Sequence, residues 1–314
     1  MTEFNAIKRI LVPLDGSALA EQAIPFAVAV AHAETEIVFV RVASSAEPIR
    51  DVLGRVAVHT DEVEEVVVDR STEDLRAAAG RWPDLNQDRV SYVVRVGDYA
   101  TEILSAAEEN GCDLIIAASR GRGAVGRLAF GSVVDRLSRA TTIPIMIVRP
   151  QDAASEIGTP KLRRIVVPYD GSELATQAFP VAMALAKKLS LDVHMIHAIN
   201  STAFLPMAAP MEPYYSPEVY DQLLGDLQAQ AQTELEAAKT QFAEAGIEAT
   251  FEIVAGSPYA VIAERTQAED LIVMTSHGRS GIRRWLIGSV AEKLVRDGPV
   301  PVVLVPSRGR GGTD

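Results

Sequence analysis

The sequence contains a single cysteine, and this scarcity limits how the chain can be stabilised. Cys112 cannot form an intramolecular disulfide bond, so a disulfide-stabilised secreted scaffold is excluded. Because Cys112 directly precedes an apolar run, we expect it to be a small core residue. Such cysteine usage is typical of a reducing compartment, and we expect the protein in the cytoplasm.

The sequence also lacks a long apolar run and an excess of basic residues. Its most apolar helical stretch, residues 23–33, contains Pro25 and is too short to cross a bilayer. The first residues carry an acid and no apolar signal core, so we expect no secretory signal. A formal net charge of −12 disfavours general binding to nucleic acid or to anionic membranes.

Histidines are few and scattered. None of the five pairs at metal-ligand spacing. His194 and His197, three apart on a predicted strand, point to opposite faces of a sheet. We therefore predict no metal site built from protein side chains alone.

What the sequence does contain is an internal repeat. Residues 9–17, RILVPLDGS, return as residues 164–172, RIVVPYDGS, at an offset of 155. A repeat this long indicates duplicated domains, and 314 residues are enough for two of ordinary size. We expect a first domain over 1–150, a linker over 151–160, a second domain over 161–307 and a flexible tail over 308–314.

Each half alternates short apolar runs with helical patterns. Strands are predicted at 10–14, 37–42, 90–96, 114–118 and 145–148, and in the second half at 193–199, 249–254, 271–275 and 302–305, besides the repeated first strand. Helices are predicted over 17–33, 63–79 and 99–109 and from Val133, with a loop over 44–60. In the first of these helices, Pro25 either bends the helix or sits in its first turns. The alternation predicts an α/β protein of two repeated, doubly wound, five-stranded parallel-sheet domains of Rossmann-like type.

A glycine-rich loop separates the fourth strand from the last helix in each half. Glycine lets the backbone approach a ligand closely, and the free N–H groups of a helix start stabilise phosphate. Both loops contain arginines and neither contains an acidic residue, so both are locally basic. The key residues are Gly121, Gly131 and Ser132 in the first half and Gly278, Gly288 and Ser289 in the second. The repeated spacing predicts two phosphate-binding loops; the alternative is a solvated basic turn.

An aspartate follows the first strand of each half. Asp15 and Asp170 lie at the carboxyl ends of these strands, and the glycine-rich loops lie at the carboxyl ends of the fourth strands. In doubly wound sheets both positions face one crevice, where ligands bind. The carboxylates are therefore candidates for accepting hydrogen bonds from ribose hydroxyls. The alternative is that each aspartate only forms its Asp-Gly-Ser turn.

At these residues the chain resembles the universal stress protein family in its tandem two-domain form. The family's nucleotide-binding signature is a glycine, two residues, a second glycine, nine residues and then Gly-Ser or Gly-Thr. This chain keeps the second glycine, the spacer and Gly-Ser in both halves, and it carries Ala118 and Thr275 in place of the first glycine. The resemblance implies one ATP in each half, with Mg²⁺ bridging the phosphates.

The resemblance also assigns contacts by matching position. The implied nucleotide-binding residues are Pro13, Asp15, Val42, Ala118, Gly121, Gly131, Ser132 and Val133, and in the second half Pro168, Asp170, Ala198, Thr275, Gly278, Gly288, Ser289 and Val290. Family members pair through their fifth strands. Pairing of this kind within one chain would give an internal pseudo-dimer with Val148 and Val305 at the contact, and a further homodimer of chains is implied as well.

Three functions remain open at this point. The favoured one is an ATP-binding stress or regulatory protein in which the nucleotide is a ligand. The second is a slow ATP hydrolase or phosphoryl transferase, which would need a positioned base and metal ligands. The third is an interaction module that binds no nucleotide. The irregular, proline-containing segment 203–215 is either a lid over a site or an interface.

Overall fold

A computed structural model describes residues 7–44, 49–50, 56–58, 60–119, 131–150, 159–200, 217–277 and 287–307. The chain divides into two compact units, Ala6–Pro160 and Lys161–Asp314, called here the first and second unit. Residues 151–158 of the predicted linker, the segment 203–215 and the tail 308–314 lie outside the described residues, as do Gly121 and Gly278.

The first unit alternates strands and helices along the chain. Its elements are β1 (Arg9–Pro13), α1 (Ala18–Glu21), α2 (Ile24–Val30), β2 (Glu36–Ala43), β3 (Ile49–Arg50), β4 (Val56–Val58), α3 (Thr60–Gly80), β5 (Val90–Val96), α4 (Tyr99–Glu109), β6 (Leu114–Ala118), α5 (Ser132–Ala140) and β7 (Ile145–Val148). Among these, five strands form a parallel sheet in the order β7–β6–β1–β2–β5. The short strands β3 and β4 pair with each other in antiparallel fashion.

The second unit repeats this arrangement. Its elements are β8 (Arg164–Pro168), α6 (Glu173–Thr176), α7 (Phe179–Leu189), β9 (Asp192–Ile199), α8 (Pro217–Glu244), β10 (Ala249–Ala255), α9 (Pro258–Arg265), β11 (Asp270–Thr275), α10 (Ser289–Asp297) and β12 (Val302–Val305). The described strands form a parallel sheet in the order β10–β9–β8–β11–β12. The two units therefore have the same topology.

The central strands are apolar throughout because the sheet is covered on both faces. Residues 10–12 of β1 and 114–116 of β6 are fully buried, and so are residues 165–167 of β8 and 271–273 of β11. Such continuous burial is typical of parallel strands packed between two layers of helices. The strand order reverses beside β1 and β8, so right-handed crossovers place helices on both faces and open a crevice at the carboxyl ends of the strands.

Most predicted strands lie where the sequence places them. The strands at 90–96, 114–118, 145–148 and 302–305 and the helix at 99–109 have the predicted bounds. The α/β fold class with parallel sheets is confirmed. Cys112 is a buried core residue, as expected.

Two local predictions are wrong. The single helix expected over 17–33 is two helices, because the N–H groups of Gln22 and Ala23 bond three residues back and end α1. Pro25 then stands in the first turn of α2, where its missing N–H costs no hydrogen bond. The stretch 44–60, expected as a loop, contains β3, β4 and the first residue of α3.

Candidate functional site

The second unit contains a cavity of about 470 Å³ at the carboxyl edge of its sheet. The ends of β8, β9 and β11, the start of α10, and parts of α8 and α9 form its walls. All the described residues predicted as nucleotide contacts in this half line it. They are Pro168, Asp170, Ala198, Thr275, Gly288, Ser289 and Val290. Residues far apart in the sequence therefore meet in one concave site.

Asp170 follows β8 in a tight turn that faces the cavity. Its Oδ1 accepts hydrogen bonds from the backbone N of Ser172 at 3.1 Å and from Ser172 Oγ at 2.6 Å. Gly171 has a φ of 78°, a left-handed conformation that favours glycine. Asp170 thus forms the turn considered as the alternative, and it also lines the cavity.

The start of α10 forms the opposite wall. Gly288 is the N-cap residue, and its N–H donates to the carbonyl of Ser276 at 2.7 Å. A Cβ on Gly288 would lie 3.3 Å from that carbonyl oxygen, closer than most real Cβ contacts. The first-turn N–H groups of a helix have no partner within the helix, and here Ser289 and Val290 line the cavity. This wall can therefore accept an anion.

The chain leaving β11 is fixed by a set of short polar contacts. Thr275 Oγ1 donates to the carbonyl of His277 at 2.6 Å, and the N–H of Ser276 donates to the carbonyl of Val305 at 2.9 Å. His277 Nδ1 lies 3.0 Å from Ser307 Oγ and 3.1 Å from Ser276 Oγ. Burial lowers the pKa of the His277 imidazole from its usual value. These contacts orient the imidazole of His277 at the cavity wall.

Sequence reasoning missed the wall that α8 contributes. Leu227, Ala231 and Glu234 line the cavity, and Gln230 lies beside them. Leu227, Ala231 and Glu234 are separated by four and then by three residues, which places them on one face of a helix. This spacing is the signal that could have found them. His197 of β9 also lines the cavity and is buried. His277 was not among the residues predicted to contact nucleotide.

The first unit places its predicted residues in the same way. The N–H of Gly131 donates to the carbonyl of Ser119 at 2.8 Å, and the N–H of Ser17 donates to Asp15 Oδ1 at 2.9 Å. Pro13 ends β1, Val42 lies near the end of β2, Ala118 ends β6, Gly131 caps α5, and Ser132 and Val133 begin α5. The duplicated turn and helix start therefore have matching geometry.

The described residues contain neither a cluster of metal-ligating side chains nor a membrane-spanning helix. No group of three or more His, Cys, Asp or Glu side chains could hold a metal ion. No helix in the described part of the chain is both long and apolar enough to cross a membrane.

The strand order and the crevice at its reversal define a doubly wound α/β protein of Rossmann-like type. The Universal stress protein family matches residues 6–149 and again residues 161–306. The chain belongs to this family, as two consecutive copies of its domain, and the resemblance and the repeat seen in the sequence are confirmed.

Individual members of the family are similar to parts or to nearly all of the chain. A universal stress protein of Methanocaldococcus jannaschii is 31% identical over 145 residues, which cover 46% of this chain and 81% of that protein. The crystal structure of a universal stress protein from Archaeoglobus fulgidus has a TM-score of 0.63 at 20% identity and covers 96% of this chain and 99% of its own. A universal stress protein crystallised in complex with cAMP is similar to 46% of this chain, with a TM-score of 0.31, 16% identity and 98% of its own length covered.

Proposed function

We propose that this chain binds ATP at the carboxyl edge of each sheet and uses the nucleotide as a regulatory ligand in a stress response. The cavity of the second unit carries the proposal, because the described candidate residues of that half all line it. Its volume of about 470 Å³ falls within the range of small-molecule sites, roughly 300–1,000 Å³.

The walls of the cavity suit the three parts of a nucleotide. Asp170 offers a carboxylate to ribose hydroxyls, and the backbone at Ala198, near the end of β9, offers polar groups to adenine. The N–H groups and hydroxyl at Ser289 offer donors to phosphate oxygens. A Mg²⁺ ion in this site would be held by the phosphates and water, which suits an ion that keeps much of its hydration shell.

A ligand role fits the cavity better than a catalytic one. Phosphoryl transfer needs a positioned base and metal ligands close to the terminal phosphate. The carboxylates among the described lining residues are Asp170 and Glu234. Asp170 Oδ1 is held by Ser172, and Glu234 stands on α8 rather than at the start of α10. We therefore propose that bound ATP is retained rather than turned over rapidly.

Titration of the full chain with ATP tests the proposal. Wild type should bind ATP saturably, and Asp170→Ala should weaken the second site about 10-fold, since it removes hydrogen bonds from a carboxylate. Asp192→Ala is the matched control, because Asp192 is exposed at the start of β9, at the opposite edge of the sheet. It should bind as wild type does.

Two outcomes would contradict the proposal. One is no saturable binding at millimolar ATP together with no nucleotide released from freshly purified protein. The other is equal loss of affinity in Asp170→Ala and Asp192→Ala, which would mean that the cavity is not the site.

A further inference from the structure

His277 has one ring nitrogen that the protein itself does not use. The residue lines the cavity of the second unit directly after β11. Its Nδ1 lies within hydrogen-bond distance of two serine hydroxyls, whereas its Nε2 is buried and has no hydrogen-bond partner among the described residues. Leaving a buried polar atom without a partner is costly, so such atoms call for an explanation. A ligand in the cavity would supply the missing partner.

The serine contacts are compatible with the tautomer of His277 that carries its proton on Nε2, because a serine hydroxyl can donate to Nδ1. Ser276 Oγ accepts the N–H of Ser307 at 3.3 Å, which leaves its own hydroxyl proton free to be donated to His277 Nδ1 at 3.1 Å. A neutral imidazole that accepts at Nδ1 carries its proton on Nε2. In this tautomer, and also in the imidazolium ion, Nε2 is a hydrogen-bond donor, and the partner that it lacks is an acceptor.

The position of His277 identifies that acceptor as phosphate. The carbonyl of Ser276, the preceding residue, holds the N–H of Gly288 at the start of α10. His277 is thereby next to the N–H groups proposed to bind phosphate oxygens. The other titratable groups among the described residues that line the cavity are Asp170, Glu234, His197 and Tyr169. Two of these, Asp170 and Glu234, are carboxylates that repel a polyanion. A donor from His277 beside the phosphates would offset this repulsion.

We propose that His277 binds a phosphate oxygen of the nucleotide through Nε2–H, and that the second site takes up a proton when a polyphosphate binds. This inference rests on the proposed function of the same cavity. Burial keeps the free imidazole neutral near pH 7, because it lowers the pKa of His277. A bound polyphosphate acts in the opposite direction, since a nearby negative charge favours the imidazolium ion and raises the pKa. Binding should therefore strengthen as the pH falls through the pKa of the bound state.

The first half of the chain provides the matched variant. The residue before Gly278 is His277, and the residue before the equivalent Gly121 is Arg120. Arg120 lies outside the described residues, and its equivalence to His277 rests on the aligned sequences of the two halves. Arginine stays charged over the whole working range of pH, whereas histidine does not. His277→Arg therefore gives the second site the permanent charge that the first half encodes.

The test compares wild type, His277→Gln and His277→Arg, each in a chain that also carries Asp15→Ala to weaken the first site. ATP and adenosine are titrated into each protein at about pH 6 and about pH 8, on either side of the usual histidine pKa. When the pH is lowered from about 8 to about 6, the gain in ATP affinity should be about 5- to 10-fold larger in wild type than in His277→Gln. For His277→Arg, the change in ATP affinity between the two pH values should equal the change seen for His277→Gln. Adenosine should bind all three equally.

A second readout distinguishes a ligand contact from a structural role. The imidazole signal that is missing from the NMR spectrum of His277→Gln belongs to His277, and its titration gives the pKa of this residue. Saturating ATP should raise that pKa, whereas adenosine should leave it unchanged. Equal ATP affinity and equal pH slope in all three proteins would overturn the inference while leaving ATP binding intact. Equal loss of ATP and adenosine affinity in His277→Gln would also overturn it, by indicating a structural role. Absence of ATP binding by wild type would instead overturn the proposed function.

Discussion

Arg41 and Asp74 form an ion pair in the first unit, with Nη1 of the arginine 2.6 Å from Oδ2 of the aspartate. Arg41 lies near the end of β2, and Asp74 lies on α3. The arginine side chain is only 16% exposed, so the guanidinium is fixed against the protein between strand and helix. The pair therefore stands at the edge of the sheet where the candidate site of this unit lies.

The second unit carries His197 and Glu234 at these two places. The first two strands pair in the same register in both units, which makes His197 the counterpart of Arg41. Glu234 directly precedes a buried leucine of α8, as Asp74 does on α3. His197 and Glu234 both line the cavity. The duplicated units thus differ in the charged groups at these two places, which in the second unit lie at the end of the cavity proposed to hold the adenine ring.

Moving the first unit's pair into the second should impair nucleotide binding there. In His197→Arg with Glu234→Asp, a guanidinium bridging β9 and α8 would occupy one end of the cavity, and ATP affinity of the second site should fall about 10-fold. The reciprocal change, Arg41→His with Asp74→Glu, is the control and should leave the second site unaltered. Titration calorimetry in chains carrying Asp15→Ala measures both. Unchanged affinity in the first variant would refute this role of the cavity end.

Asp98 should make part of the stability of the first unit depend on acid pH. Its carboxylate accepts from the N and Oγ1 of Thr101 at 3.1 and 2.8 Å, and Arg136 donates to both of its oxygens at 2.7 and 2.8 Å. These contacts, the Arg136 hydrogen bonds first, hold the pKa of Asp98 well below its usual range. Because the folded pKa is depressed, the stabilisation is present above the unfolded pKa of about 4 and is lost as the pH falls below it.

Asp98→Asn tests this dependence while keeping a residue that can cap α4. Asparagine caps helices as well as aspartate but does not titrate. The urea midpoint of wild type should fall more steeply than that of Asp98→Asn between about pH 5 and about pH 2. Parallel slopes would show that the Asp98–Arg136 pair contributes nothing to acid sensitivity.

Two glycines offer opposite predictions for the same substitution. Gly225 is exposed inside α8, and an added Cβ would meet nothing within 4 Å. Gly225→Ala should therefore raise the free energy of unfolding by about 0.5–1 kcal/mol through helix propensity. Gly288→Ala should be destabilising and should weaken ATP binding, because its Cβ would lie 3.3 Å from the carbonyl oxygen of Ser276 and press on the start of α10. Thermal unfolding with and without ATP compares them; equal effects of the two changes would contradict the close approach at Gly288.

The sheet could be predicted from the sequence because its signal is local. The run Leu114–Ala118 is wholly apolar and flanked by turn residues, so its bounds follow from composition alone. The duplicated Asp-Gly-Ser and Gly-Ser segments placed Asp170 and Ser289 at the same edge of a parallel sheet, since strand direction fixes which ends meet. The sequence does not predict the break between α1 and α2, because the break depends on two hydrogen bonds from an N–H to the carbonyl three residues earlier. Helix propensity does not reveal such bonds.

The far wall of the cavity could not be predicted because it depends on tertiary packing. Glu234 is a polar residue within a helical pattern, and such residues are usually solvated. Only the docking of α8 beside β9 makes it a lining residue. The contact between His277 Nδ1 and Ser307 Oγ likewise depends on tertiary packing, because the two residues are 30 apart in the chain.

Cys112 should be inert in the folded protein. Burial raises the pKa of its thiol to about 11, although nearby Arg9 acts in the opposite direction. Since the thiolate is the reactive form, a thiol reagent at about pH 8 should label native protein far more slowly than unfolded protein. A chromogenic disulfide reagent, with and without urea, measures both rates. Rapid labelling without urea would show that the segment before β6 opens readily.

Arg164 should be the more important of two adjacent arginines at the amino edge of the second unit. Its Nη2 lies 2.7 Å from Oδ2 of Asp270, whose side chain is only 3% exposed. Truncating the arginine leaves a buried carboxylate without its charged partner, so Arg164→Ala should lower the free energy of unfolding of this unit by about 3 kcal/mol. Arg163 faces Glu269 at 3.6 Å with both side chains well exposed, and Arg163→Ala should cost less than about 1 kcal/mol.

Urea unfolding followed in the transition of the second unit separates these two arginines. The pair of variants changes the same residue type at neighbouring positions, so effects on the unfolded chain nearly cancel. The double change Arg164→Met with Asp270→Leu should recover most of the loss seen in Arg164→Ala, because it removes the buried charge along with its partner. A double variant as unstable as Arg164→Ala would mean that the loss comes from packing of the arginine stem rather than from the uncompensated carboxylate.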